Sequence, residues 1–371
     1  MKTHPQAVRG RAVSLLDVAH LAGVSTSTVS RALARSELIS DATRARVRAA
    51  AERLGYVANG SARALAMRRT LTIGAIVPRY GTSSFPTMIQ ALETTLAANG
   101  YTLLLSAPVH ESAREPGILR ILLERGVDGV ALLGADQTPH TFTTLATHHI
   151  PFVMMWALGS AAGDCVGFDE TAAAALVIDH LAELGHRSIG FIGGHTADNE
   201  RARSRYRGIL EALTRRGMVL RPEAHIRTTY GLRQGCEAMQ QILQAKAPVS
   251  AIVCGNDYLA AGALSALNQA GIRVPGELSV ASFNDNEFAA YLHPKLTTVR
   301  LPIAEIGERA GLMLVARLRG TALPGSNTLS ASLIVRESTG PAAPGPSRNP
   351  RTPNSRRPSV NPPPRRDRSR S

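Results

Sequence analysis

Apolar residues recur at helical spacing three times within the first seventy positions. Leu15, Leu16, Val18, Ala19 and Ala22 form one stripe, opened by Ser14 with Asp17 three residues on and closed by Gly23. That is the pattern of a capping box followed by a left-handed glycine stop. Val29, Ala32 and Leu33 form a second, shorter stripe behind a capping Ser25, and its opposite face carries Thr26, Ser27, Ser30 and Arg31. A third helix is predicted from Ser40 to Leu54, with Val47, Ala50, Ala51 and Leu54 inward, Arg44, Arg46 and Arg48 outward, and Gly55 as its end. Helix, glycine turn and short polar-faced helix together read as a helix-turn-helix. The next stretch, Asn59 to Met67, is too short and too weakly apolar to be a stable helix alone.

From Leu71 the pattern changes. Short apolar runs at 71–77, 101–106, 127–133, 150–156, 189–193, 249–254 and 278–283 are separated by helix-length segments, several ending in glycine. Continuous apolar strands, each followed by a helix, predict parallel sheets covered on both faces. About 270 residues is long for one such sheet, so two α/β lobes are expected. The fold class is therefore an all-α helix-turn-helix headpiece followed by a two-lobed α/β body.

Composition sharpens this picture at the ends of the chain. The 371 residues hold 42 Lys+Arg against 28 Asp+Glu, a net +14. Residues 1–70 carry +8, residues 341–371 carry +7, and the stretch between is nearly neutral at −1. Clustered positive charge is the footprint of a polyanion binder. The tail from Pro341 to Ser371 has nine Pro and eight Arg and almost nothing apolar, so it is expected to be disordered, either as a solubilising appendage or as a nonspecific phosphate contact. No run approaches the length of a membrane span, and Met1 to Val13 is polar and basic with no secretory core, so a cytoplasmic protein is expected. Cys165, Cys236 and Cys254 fit neither a disulfide framework nor a zinc pattern and are expected to be reduced, mostly buried thiols. GxxxxGK, HExxH, GxSxG and a complete GxGxxG are all missing, and the eleven His lack metal-ligand spacing. No enzyme, cofactor or metal is expected.

The strings DVAHLAGVSTSTVSRAL (17–33) and SDATRARVRAAAERLGYVANGSARALA (40–66) resemble the DNA-binding headpiece of the LacI/GalR repressor family. The body resembles it too, in LGHRSIGFIGG (184–194), GNDYLAAGA (255–263), VPGELSV (274–280), LTTVR (296–300) and IVRESTG (334–340). The resemblance implies a body of periplasmic-binding-protein type, with three crossovers between lobes and a small effector in the cleft. It implies base contacts from Thr26, Ser27 and Arg31, and a hinge helix, folded on the operator, that inserts Leu65 into the minor groove. The full DNA-facing set so implied is Ser25, Thr26, Ser27, Thr28, Ser30, Arg31, Asn59, Arg63 and Leu65. Small hydroxyls at 26 and 27 leave much of the readout to Arg31, which suits a bidentate contact to guanine.

Effector residues carry over where the motif holds. Asp169 falls at the family's cleft carboxylate, with Glu170 where Asn is usual, and Arg205, three residues before Gly208, falls at its effector-clamping arginine. Asn256, Asp257 and Asn284 complete the polar set, Asn284 standing where many relatives have Asp. Trp156 is added as a surface for a sugar face, with core packing as the alternative. Asp257 reads equally as a helix cap, and Arg205 lies in a run with Arg201, Arg203 and Arg207 that also fits a solvated face. Hydroxyl-accepting and guanidinium groups together suit a polyol, so a sugar leads as effector, with a purine or another metabolite open.

The expected layout is a basic arm (1–13), headpiece (14–58), hinge (59–70), two-lobed effector and dimerisation domain (71–340) and tail (341–371). The expected function is a homodimeric, ligand-responsive repressor on double-stranded operator DNA, with no membrane partner. The rival is a solute-binding protein without a regulatory role.

Overall fold

The computed structural model describes residues 13–33, 38–57, 64, 67, 69–77, 84–106, 116–159, 163–197, 199–321 and 326–342. The arm before Val13, the hinge residues Asn59, Arg63 and Leu65, and the tail after Ala342 lie outside the described residues.

Among the described residues three helices form the headpiece: α1 (Leu15–Ala22), α2 (Thr26–Leu33) and α3 (Asp41–Leu54). Ser14 and Asp17 make the reciprocal capping box, and Gly23 closes α1 at φ 62°. Ser40 accepts from the Thr43 amide to start α3, and Gly55, also at φ 62°, ends it. Val18, Ala19, Ala22, Val29, Ala32, Val47, Ala50 and Ala51 are buried where the three helices meet. Leu16, expected inward, is 51% exposed. It sits off the stripe that Val18, Ala19 and Ala22 define, so helical phase carries it to solvent.

Among the described residues the body contains two six-stranded sheets. The first runs β11-β5-β4-β3-β1-β2, built from β1 (Thr72–Ile76), β2 (Thr102–Ser106), β3 (Gly129–Leu133), β4 (Phe152–Met155), β5 (Asp164–Phe168) and β11 (Ser326–Leu329). All of its pairings are parallel. The second runs β12-β10-β9-β8-β6-β7, from β6 (Ser188–Gly194), β7 (Val219–Thr228), β8 (Ala251–Cys254), β9 (Ser279–Asn284), β10 (Thr297–Arg300) and β12 (Ser332–Ile334), with only β12 antiparallel. Helices α4 (Phe85–Ala98), α5 (Pro116–Glu124), α6 (Pro139–Thr147) and α11 (Ile303–Arg319) serve the first sheet. Helices α7 (Glu170–Glu183), α8 (Glu200–Arg216), α9 (Leu232–Gln244) and α10 (Asp257–Gln269) serve the second.

The chain passes between sheets three times, between Phe168 and Glu170, between Arg300 and Ile303, and between Leu329 and Ser332. In both sheets the first strand has neighbours on opposite sides reached in opposite directions, β1 between β2 and β3, β6 between β7 and β8. Ligands of parallel α/β sheets bind outside the strand C-termini at such a reversal. One continuous buried cluster, including Ile73, Met155, Trp156, Phe168, Val177, Phe191 and Phe283, joins the two lobes beneath that edge. Cys165 and Cys254 are buried and Cys236 partly so.

Candidate functional site

The first candidate surface is the outer face of α2. Val29 and Ala32 point into the headpiece core, which by helical phase turns Ser25, Thr26, Ser27, Ser30 and Arg31 out to solvent, with Thr28 half-buried. Ser25 accepts from the Thr28 amide at 3.2 Å and its hydroxyl lies 2.8 Å from that of Ser27. The cap thus fixes the start of the helix and gathers the hydroxyls at its amino end. Among the described residues Arg31 makes no hydrogen bond or ion pair.

The second candidate is the cleft between the sheets. Arg205, on α8, is buried together with Glu170, the first residue of α7. Its Nε and Nη2 donate to the two Glu170 oxygens at 2.9 Å each, and its Nη1 donates to the Gly255 carbonyl at 2.6 Å. The guanidinium lies 4.6 Å over the Phe283 ring. Gly208, one turn along α8, is what permits this approach, because a Cβ there would stand 2.6 Å from Thr171 Cα on α7. Burial acts to lower the Arg205 pKa, but the charge and hydrogen bonds of Glu170 outweigh it and hold the value above normal.

From the other lobe, the Trp156 indole donates to Glu170 Oε1 at 2.8 Å. Trp156 packs with Phe85 and Phe168 at ring separations of 5.9 and 5.7 Å. Trp156 and Asn284, at the C-terminal ends of β4 and β9, both adopt positive φ, 57° and 110°. Strained backbone of this kind persists where surrounding structure over-determines it and clusters at ligand sites. Arg203 pairs with Asp136 through two bonds of 2.7 and 2.9 Å, and the Ser84 hydroxyl meets Asn286 Oδ1 at 3.3 Å, so polar contacts join the lobes directly.

The structure gathers Arg205 and Trp156 at one locus, with the Trp156 ring in an aromatic cluster and its N–H committed to Glu170. Asp169 is exposed, and its carboxylate accepts from the Thr171 and Ala172 amides as the N-cap of α7, while the buried carboxylate beside Arg205 is its neighbour Glu170. Asp257 is completely buried and accepts from Ser282 Oγ (2.5 Å), Thr298 Oγ1 (2.8 Å) and the Asn286 backbone and side-chain amides (2.6 and 2.8 Å). Its oxygens are filled from within the second lobe, and burial raises its pKa despite those donors. It ties β9, β10 and α10 together. Asn256 caps α10 through the Leu259 amide. Asn284 is 9% exposed and its Oδ1 has no hydrogen-bond partner among the described residues.

Glu170 and Arg201 stood out in the sequence only as neighbours of the motif residues, and Phe85 and Tyr230 carried no signal of their own. Tyr230 fits beside Gly194, where a side chain would collide with its ring, and burial raises its phenol pKa. For Glu170 the signal was available. It shares a helical face with Ala173, Ala174 and Val177, all buried, whereas Asp169 precedes the helix.

Residues 14–59 match the bacterial regulatory proteins of the lacI family, and residues 178–339 match a periplasmic binding protein-like domain. The transcriptional repressor CytR of Escherichia coli K12 is 33% identical over 333 residues, covering 88% of this chain and 96% of that protein. The chain belongs to the LacI family. Another relative, the transcriptional repressor PurR of Erwinia tasmaniensis, is 34% identical over 82% of this chain and 90% of its own length. Among solved structures, a LacI-family regulator from Silicibacter pomeroyi superposes with a TM-score of 0.80 at 29% identity, covering 88% of this chain and 99% of that one. The Lac repressor dimer bound to operator and the anti-inducer ONPF gives 0.79 at 26% identity, covering 89% and 100%. The helix-turn-helix headpiece and the two-lobed α/β body are thus those of this family.

Proposed function

We propose that this LacI-family chain is a homodimeric, cytoplasmic transcriptional repressor whose grip on operator DNA is set by a small molecule bound between the lobes. The observation that carries the reading is the face of α2, where Thr26, Ser27, Ser30 and Arg31 stand exposed while Val29 and Ala32 anchor the helix. Small hydroxyls and one unpaired guanidinium suit major-groove base edges and phosphates. Two such faces in a dimer read two half-sites, Leu65 of the hinge adds a contact at the centre, and Asn59 and Arg63 are further DNA contacts. The Lac repressor relative is a dimer on its operator, in keeping with this assembly. No catalytic step is assigned to the chain, and neither a cofactor nor a metal has a role in the proposal.

A sugar is the effector class favoured. Phe85, half-buried and backed by the buried Trp156 and Phe168, gives the lobe junction an apolar wall suited to a sugar ring, and the unpartnered Asn284 oxygen calls for a hydroxyl or N–H donor. The related CelR was solved in complex with cellobiose, and Lac repressor bound to ONPG. Regulation requires the ligand to bind one lobe arrangement better than the other. Asp136–Arg203 and Ser84–Asn286 are the interlobe contacts whose making or breaking would report such a shift.

The test is a gel-shift titration on operator recovered by in vitro selection. Arg31→Ala is expected to lose discrimination between operator and scrambled DNA while keeping weak, salt-sensitive binding. Discrimination that survives the change overturns the assignment.

A further inference from the structure

Arg201 opens the first turn of α8, one turn before Arg205, and its guanidinium crosses from the second lobe into the first. It lies 5.7 Å from the Phe85 ring centre and 6.0 Å from that of Trp156. Gly134, at the end of β3 with φ 77°, makes room for it, because a Cβ there would collide with Arg201 Nη1. Despite five N–H donors, Arg201 makes no hydrogen bond and no ion pair among the described residues.

The carboxylates nearby are already engaged. Glu170 is held by Arg205 and Trp156, Asp136 by Arg203 and the Glu200 amide, and Glu200 accepts from Ser204 Oγ. Burial depresses the Arg201 pKa, with Glu170, Glu200, Tyr230 and Asp136 acting in the opposite direction. Arg201 is partly exposed at the lobe junction, so its unused fork is open to an incoming ligand, and the partner that fits a guanidinium fork is a two-oxygen anion. Arg205, by contrast, already has such an anion in its fork, supplied by Glu170.

We propose that the effector carries an acid group, carboxylate or phosphate, which Arg201 takes in bidentate fashion at the lobe interface, while Glu170 keeps Arg205 neutralised. The proposal rests on the reading that the cleft holds a small, sugar-like effector, and it narrows that class to sugar acids or sugar phosphates. Cleft specificity then lies with Arg201, and the Glu170–Arg205 pair serves as its rigid floor.

A matched series tests this on the full-length protein: glucose, glucuronate and glucose 6-phosphate, which differ only at C6, titrated by calorimetry and thermal shift. One or both acids are expected to bind at least tenfold tighter than glucose. Binding by glucuronate alone assigns a carboxylate, and by glucose 6-phosphate alone a phosphate. Arg201→Gln is expected to weaken the favoured acid by about thirty-fold or more and erase its preference over glucose. Arg201→Lys, which keeps the charge without the fork, is expected to fall between. Circular dichroism and a cooperative melt verify that the variants are folded. Equal binding of glucose, an acid preference that survives Arg201→Gln, or failure of both acids to bind overturns the proposal. The regulator reading fails by a separate readout, the loss of sequence-selective DNA binding in the unliganded wild type.

Discussion

In the headpiece, the contacts that shape the polar helix face are local. Ser14 meets Asp17, Ser25 meets Thr28, and Ser40 meets Thr43, each three residues apart. In the cleft, Arg205 reaches Glu170 across 35 positions and Gly255 across 50. The headpiece core is small, five of its eight fully buried residues being alanine, so its caps matter more than they would under a larger core. The cleft instead draws on the continuous cluster that joins both lobes. A DNA-reading surface built locally and a ligand site built from distant segments can therefore be perturbed separately.

The strongest attempt to break this separation is the buried ion pair. Glu170→Ala or Arg205→Ala is expected to cost about 3–5 kcal/mol in urea unfolding of the body, because one charge stays buried without its partner. The double change Glu170→Gln with Arg205→Met is expected to lose much less than the sum of the single losses. Simple additivity would show that the two are not coupled. Next comes Gly208→Ala, which places a methyl against Thr171 Cα and pushes α7 from α8. A loss of about 1–3 kcal/mol is expected, with weakened effector binding, measured by thermal melts and calorimetry.

On the local side, Ser14→Ala and Ser40→Ala are each expected to cost about 1 kcal/mol in headpiece stability. Operator affinity should fall with them, while effector binding stays unchanged. A shift in effector affinity would dissolve the contrast. The smallest effect concerns pH. His186 lies between Ser250 Oγ (2.8 Å) and the Gly340 carbonyl (3.0 Å), and His180 meets Thr339 Oγ1 at 2.9 Å. Burial lowers both pKa values below the usual 6.5. The unfolded chain therefore binds protons first as pH falls. The stability tied to the neutral rings is complete above about pH 6.5 and drains away as pH drops toward the folded-state values. His186→Gln is expected to flatten the acid limb of a Tm-against-pH curve for the body, and an unchanged slope would remove His186 from the effect.

Local construction also explains what was legible in the sequence. Ser14, Gly23, Ser40 and Gly55 announce their helices because capping needs only neighbours. Strand β5, Asp164–Phe168, went unseen because Asp164 and Gly167 interrupt its apolar pattern, although every residue in it is buried. Strand β7 carries Pro222 and Glu223 at the edge of its sheet, with a register shift against β6. β11 and β12 are too short to show periodicity. In the cleft, Gly208 pointed to Arg205, and motif position pointed to Asp169, whereas the carboxylate that Arg205 holds is that of the next residue, Glu170. Arg201 was hidden in an arginine run, although it shares the stripe of Arg205 and Ile209. Asp257 draws its partners Ser282, Asn286 and Thr298 from 25 to 41 positions away, so its place in the motif does not by itself show what its carboxylate holds.

The path of the chain has a practical corollary for anyone rebuilding the molecule. The first sheet is completed only by β11, which follows almost all of the second sheet in sequence. Neither lobe is a contiguous piece of gene, so transplanting one into another scaffold takes at least two coordinated splices. The helices before Leu54 precede every strand and contribute to neither sheet, and a single junction suffices to exchange them. New operator preferences are for that reason open to simple fusion, whereas new lobe combinations demand multi-point recombination.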